Sequence, residues 1–441
     1  MVRYAVCGLS NRGLASFVLP LVGATGGGDD AVLGYGSNTE SYRKHGTLVA
    51  VLDIDRQRAE HFVDRLLPDD YPGVAVHTDF AAMVAEAEPE AVIIAGPDDT
   101  HELYAVAALE RGIDVIVEKP MTSTAAGAKR VLDAEAASTA SVRVTHNLRY
   151  TARHRLIKKL LADGAVGAPL QVSLDYFVDI RHGASYFLRW NRERARSGGL
   201  SIHKSTHHID LVNWWLGKEP TSVYALGGRA YYGPDSPHQP RGDDGQPLPP
   251  ESLRSVDPYY LAQQGSGMFH DDAIAARRGL YDLPYHHAYP AGRDDYLYDA
   301  GIDIEDHYSA LVAYPGAALS YTINFSAPWE GYRLTISGTH GQLEAFTGRH
   351  PDGTPFDGPI EVRIRPLFGE AETMTVERVL GGHEGADPLL RSDLFVAVSD
   401  ESSELGLTAT SREGAVAVAA GEAIWRSIET GRPWTIEELL V

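Results

Sequence analysis

Lys119 is the residue of this chain best placed to do chemistry. It stands in Glu118-Lys119-Pro120, directly after the apolar run 113–117, whose single polar residue is Asp114. Such a run suits a parallel strand buried on both faces, and the C-terminal edge of an open parallel sheet is where ligands sit. A lysine there, stiffened by the following proline, can hydrogen-bond or protonate a bound substrate. A lone lysine after a strand is more often simply solvated, so the reading depends on what else reaches the same edge. The opening strand 3–7 ends in Gly8-Leu9-Ser10-Asn11-Arg12-Gly13, a G-x-G-x-x-G pattern with Ser10 in the middle position. Gly8 permits the tight turn, and the apolar helix beyond Gly13 offers unpaired N–H groups to a pyrophosphate. Ser10 either crowds that approach or donates a hydrogen bond to phosphate. The next strand, 48–52, ends at Asp53. A carboxylate there accepts from ribose hydroxyls and repels a 2′-phosphate, so NAD is expected and NADP is disfavoured.

The second reactive stretch is SGGLSIHKSTHHIDLVNWWLG. As one helix over 200–216 it would place His203, His207, Asp210 and Trp214 on a single face. Two histidines one turn apart can also hold zinc, and the chain has 18 histidines, His286 and His287 among them. Neither histidine of the pair has the adjacent glutamate of metalloproteases, and no metal is expected. His203 and His207 so close together should titrate as a coupled pair. His203 is expected to meet a substrate hydroxyl or carboxylate, with Lys204 adding positive charge beside it. Trp190, Trp214 and Trp215 can stack on a sugar ring or fill the core.

Residues 91–120 form the unit that must position Lys119. An apolar strand over 91–96, N-cap candidates Asp98, Asp99 and Thr100, a helix closed by Gly112 and a second strand make one β-α-β element. Pro97 and His101 follow its first strand. A helix over 125–137 and a strand over 142–145 then deliver Asn147 and Arg149 to the same edge. The domain boundary falls near Tyr150, giving a dinucleotide-binding domain over 1–149 and a second domain over 150–441. In the second, 170–177, 317–325 and 332–337 alternate apolar and polar residues, as in a sheet with one free face. Residues 22–46 read as an inserted surface loop and 234–303 as a long insertion or lid. A closing helix begins at 411, followed by a terminal strand.

The chain has 441 residues, 44% of them hydrophobic, and a formal charge of −21, which argues against nucleic acid and anionic membrane surfaces as partners. Cys7 is the only cysteine, so no intramolecular disulfide can form and a reducing cytoplasm is the simplest setting. Neither a signal peptide nor an apolar run long enough to span a membrane is visible.

Taken together, GLSNRG, Asp53, AGPDDTH, VIVEKP, HNLRY, SGGLSIHKSTHHID and the ending SIETGRPW resemble the Gfo/Idh/MocA family of sugar and polyol oxidoreductases. The resemblance implies an α/β chain with an N-terminal Rossmann domain. It also implies a C-terminal α+β domain whose large, open, mostly antiparallel sheet packs against another subunit in a homodimer or homotetramer. It implies that Lys119, with Glu118 beside it, bridges nicotinamide and a carbohydrate or polyol substrate, and that His207 is the acid/base. Pro97, His101, Asn147 and Arg149 would line the cofactor site. The chain departs from the family in carrying His203 where an aspartate is common. Net oxidation of an alcohol is the expected reaction. A redox-neutral, NAD-retaining cleavage or epimerisation and a non-catalytic sensor are the alternatives.

Overall fold

The structure is a computed structural model that describes residues 1–24, 40–65, 67–263, 295–351, 354–377, 379 and 382–441. In the N-terminal half, β1 (Val2–Cys7), β2 (Gly46–Leu52), β3 (Ala75–His77), β4 (Ala91–Ile94), β5 (Asp114–Val117) and β6 (Val142–Val144) pair in parallel. Every side chain of β4 is buried, as a strand covered by helices on both faces requires. The strand order reverses between β1 and β4, which opens a crevice outside their C-terminal ends. Register decides what lines it. Cys7 pairs with Leu52 and Ile94, Ile94 pairs with Val117, and Val117 pairs with Val144. Gly8, Asp53, Ala95, Glu118 and Thr145 therefore emerge side by side.

The second sheet contains β7 (Pro169–Asp179), β8 (Ser222–Gly228), β9 (His307–Tyr314), β10 (Ala317–Ala327), β11 (Glu330–Gly338), β12 (Gly341–Arg349), β13 (Ile360–Pro366) and β14 (Glu372–Val376). Only β7 and β10 run parallel. The late strand β15 (Ala409–Thr410) crosses back to extend the first sheet beside β6, and β16 (Trp434–Thr435) closes the second beside β8. Strand β9 alternates strictly: Tyr308, Ala310, Val312 and Tyr314 are buried, while Leu311 faces outward.

The helix Ser411–Thr430 ties the two sheets together. Its Glu422 carboxylate accepts the Ala125 N–H at 2.6 Å, and it packs so closely on the histidine segment that a Cβ on Gly421 would lie 2.4 Å from the Ser201 carbonyl oxygen.

Residues 200–216 are not one helix. The helix Leu200–His203 stops, and Thr206–Leu216 begins after a bend at Lys204 and Ser205. The Ser205 hydroxyl is held by the hydroxyls of Tyr308 and Tyr321, which draws the chain off the helical path. The Ser205 N–H reaches back to the Leu200 carbonyl, and the His207 N–H takes the Lys204 carbonyl. The His203 carbonyl is thereby released from the helical ladder. The described parts of 234–303 are also more ordered than their composition suggests. They include helices Pro250–Val256 and Pro258–Gln263, and Leu253, Tyr259, Tyr260 and Leu297 among them are buried. Residues 264–294, with His286 and His287, and residues 25–39 of the earlier insertion lie outside the described residues.

Candidate active site

The phosphate end of the crevice is shaped by missing side chains. Gly8 has φ +95°, and a Cβ there would sit 2.5 Å from the Gly96 nitrogen; a Cβ on Gly13 would sit 2.4 Å from the Gly8 carbonyl oxygen. No other residue type lets the two loops approach like this, and Asn11 opens a helix directly beyond them. This cradle fits a dinucleotide pyrophosphate. The Ser10 hydroxyl donates to the Ala95 carbonyl at 2.7 Å and accepts from the Gly13 N–H at 3.0 Å. Its proton therefore closes the loop and is not offered to phosphate. Asp53 accepts the Leu9 N–H and the Asp55 N–H, both at 2.9 Å, which pins the glycine loop to the end of β2 with the carboxylate at the crevice edge.

Other residues expected to line the cofactor are engaged by protein partners. Arg12 is bonded to Glu118 at 2.8 Å and to both Asp387 oxygens at 2.9 and 3.1 Å. Burial pushes the pKa values of Glu118 and Asp387 up, but Arg12, joined by Lys119 at Glu118 and by His383 at Asp387, outweighs it and both carboxyls are held below their ordinary range. Asp387 also accepts from the Asn147 amide at 2.9 Å, leaving the buried Asn147 Oδ1 without a partner among the described residues. His101 sets its ring nitrogens against the carbonyls of Pro120 (2.8 Å) and Gly96 (3.0 Å), stitching two crevice loops together. Pro97 caps the helix Asp98–Leu109. Arg149 does not present its guanidinium to the crevice. Fully buried, it forms two bonds to Asp210 at 2.8 and 2.6 Å and one to the Gly406 carbonyl at 3.1 Å. Asp210 is thus committed to Arg149, away from the histidine pair whose face it was expected to share.

At the reacting end, the Lys119 ammonium reaches the His203 carbonyl at 3.4 Å, the oxygen released by the helix break. Burial lowers the Lys119 pKa, opposed by Asp98 and Glu118. The His203 ring is fixed on every side. Its Nδ1 faces Asp98 at 2.5 Å, its Nε2 faces the Asn191 amide at 3.1 Å, and the rings of Trp190 and Tyr186 meet it edge-on, each 5.5 Å away. The amide donates to Nε2, so Nδ1 carries the hydrogen that Asp98 accepts. His207 is different: its buried Nδ1 has no partner among the described residues. Burial, Lys119 and Lys204 push its pKa well below that of a free imidazole, so the ring is neutral and able to accept a proton. Trp214 and Trp215 are core residues whose indole N–H groups bond the carbonyls of Leu405 (2.6 Å) and His154 (3.2 Å); Trp190 alone of the three stays at the site.

Asp98 is the participant that sequence reasoning missed. It read as a helix cap, yet it is buried beside a histidine 105 residues away, with its pKa raised to about 7 by burial. Its position beside Pro97, at the same sheet edge as Lys119, was the available signal. His146 was passed over as well, and both its buried ring nitrogens lack a hydrogen-bond partner among the described residues. Among those residues, no three His, Cys, Asp or Glu side chains converge to hold a metal ion, and no helix is long and apolar enough to cross a membrane.

Residues 17–146 match the family model described as the NAD-binding Rossmann fold of an oxidoreductase family, and residues 158–436 match that family's C-terminal alpha/beta domain. The chain is 40% identical over 452 residues to YteT of Bacillus subtilis (strain 168), a protein with an oxidoreductase name, covering 100% of this chain and 99% of that one. It is 35% identical over 197 residues to the inositol 2-dehydrogenase of Streptomyces avermitilis, covering 44% of this chain and 51% of that one. An Agrobacterium radiobacter oxidoreductase solved with NAD+, L-tartaric acid and magnesium superimposes with a TM-score of 0.62 at 15% identity, covering 99% of each chain, which is a likeness of fold. The glycine cradle, the sheet-edge lysine and both matched domains lead to one conclusion: the chain belongs to the Gfo/Idh/MocA oxidoreductase family, with an NAD-binding Rossmann domain followed by the family's C-terminal alpha/beta domain.

Proposed function

We propose that the enzyme moves a hydride between the nicotinamide of NAD and a carbinol carbon of a sugar, glycoside or polyol. One observation carries this reading. The helix break turns the His203 carbonyl to Lys119, and it sets a histidine with an unpartnered nitrogen, His207, within the electrostatic reach of that lysine. NAD, when bound, takes up or returns the hydride. The protein's part is the proton and the charge. His207 takes the hydroxyl proton, and the Lys119 ammonium stabilises the alkoxide that develops. His203, clamped by Asp98 and Asn191, positions rather than exchanges. The Asp53 carboxylate favours NAD over NADP by repelling a 2′-phosphate. A polyol or sugar substrate is supported by the relative named as an inositol 2-dehydrogenase.

The outward-facing Leu226 and Leu311 on adjacent strands of the second sheet, 62% and 61% exposed, support a homodimer or homotetramer formed through that face. Leu311→Asp should then lower the mass seen by light scattering, and an unchanged mass would count against it. The single buried cysteine suits a reducing cytoplasm. The main reading is tested by following NAD reduction across inositols, aldoses, pyranosides and sugar acids. Lys119-dependent turnover supports it; no turnover with any alcohol sinks it. A co-purifying nucleotide that never exchanges would move the reading to the redox-neutral cycle.

A further inference from the structure

We propose that the substrate carries a carboxylate and that Lys204 receives it, so that the enzyme prefers acidic sugars or polyol acids to neutral ones. This rests on the alcohol-oxidising reading of the site and narrows it. Lys204 sits in the bend between the two helices, partly buried, next to the clamped His203. Among the described residues it closes no ion pair, and its one close partner is the face of Tyr176, whose centroid lies 5.5 Å from Nζ. The carboxylates that act on it are already committed. Glu330 holds His182 Nδ1 at 2.7 Å with one oxygen and Arg349 at 2.9 Å with the other. Asp179 accepts the backbone N–H groups of Arg181 (2.9 Å) and His182 (3.2 Å) through one oxygen. Burial and the neighbouring Glu330 raise its pKa to about 7, so it carries only part of a charge near neutral pH.

Lys204 is also not the only cation here without an ion pair among the described residues. Among the described residues the Lys119 ammonium has the His203 carbonyl as its one bond, and Arg189 uses Nε on the Ser185 carbonyl at 3.0 Å while its two terminal nitrogens close no ion pair. Lys119, Arg189 and Lys204 all bear on the ring of His203 and disfavour its protonation. A developing alkoxide accounts for Lys119. A neutral sugar would leave the other two unexplained, in a chain whose net charge is −21. An ammonium withdrawn from water without a counter-ion is unfavourable, and burial with Lys119 and Arg349 nearby lowers the Lys204 pKa to about 8, which a bound anion would reverse. The cofactor phosphates are not that anion. Besides Lys119 and the histidines of its own segment, Lys204 acts on Glu330, Asp179, His182 and Tyr176, which belong to the second sheet and the helix following β7, whereas the glycine cradle belongs to the first sheet.

The test compares glucuronate, galacturonate and gluconate with glucose, galactose and myo-inositol, using the NAD-loaded enzyme for turnover and the NADH-loaded enzyme for equilibrium binding. The acids should be favoured in kcat/KM by on the order of 10²-fold. Lys204→Met should collapse that ratio through KM, and Lys204→Arg should keep most of it. NADH fluorescence reports whether each variant is folded. Turnover of neutral substrates at equal or better kcat/KM overturns the inference and leaves the oxidoreductase reading standing. Lys204-dependent binding of an acid without oxidation of any alcohol supports the subsite and sinks the oxidoreductase reading. Binding of acids that is absent, or indifferent to Lys204, overturns the inference by itself.

Discussion

Replacing Arg149 separates a wall of the site from a cofactor contact. Its guanidinium is fully buried and bonds the Gly406 carbonyl, Glu413 at 3.0 Å and, twice, Asp210, which is 1% exposed. Arg149→Met leaves that carboxylate buried with its strongest partner gone, a change that costs about 3–5 kcal/mol. For a domain of this size that corresponds to a melting temperature lower by on the order of 10 °C. His146 is the nearest substitute, with Nδ1 3.7 Å from Asp210 Oδ2. In the native protein its pKa is lowered by burial and by Arg149, while Asp210 pulls it up. Without Arg149 the upward pull is opposed by one charge fewer, so His146 should gain a proton in the folded state. A raised folded pKa contributes stability that is complete below the unfolded value and lost as pH rises through the folded one. The variant should therefore be less impaired at pH 6 than at pH 8. Thermal and urea unfolding at both pH values, with NAD titration of the folded fraction, measure this. The double variant with Asp210→Leu should recover part of the loss, because no charge is then stranded. A loss below about 1 kcal/mol, or a tenfold fall in NAD affinity with normal stability, would refute the structural role and restore Arg149 as a cofactor ligand.

Lys119→Ala should fold normally yet lose orders of magnitude in kcat, and His207→Ala should lose roughly 10²–10⁴-fold; His203→Ala should lose less, since both ring nitrogens serve the protein. Because His207 is pushed well below a free imidazole by burial and the surrounding cations, oxidation should persist below pH 6.5 in steady-state assays and fall only in more acidic buffer. Gly8→Ala places a Cβ 2.5 Å from the Gly96 nitrogen at a φ of +95°, so NAD affinity should drop at least about tenfold by calorimetric titration. Asp53→Asn removes the charge and keeps an oxygen for only one of the Leu9 and Asp55 N–H groups, so the preference for NAD over NADP should narrow at a stability cost of about 1–3 kcal/mol.

Periodicity and turn chemistry carried most of the architecture. Apolar runs such as 91–94 and 115–117 suit strands buried on both faces, and parallel pairing then fixes one edge at which Gly8, Asp53 and Lys119 meet. The alternation along β7, β10 and β11 likewise announced a sheet with one free face. Those features are local, so the sequence states them locally. What each polar side chain does at that edge is not local. Arg12, Asn147 and Arg149 reach the right edge, but partners 375, 240 and 61 residues away claim their donors, because a buried charge settles on the nearest carboxylate whatever its distance along the chain. Asp98 and His203 became a pair in the same way. The bend at Lys204 was equally invisible, since it arises from two tyrosine hydroxyls on distant strands that capture Ser205 and pull the helix off its axis. The residues capable of chemistry are written in the sequence, whereas their division between reacting and supporting roles follows from which buried donors and acceptors find each other once the two sheets have packed.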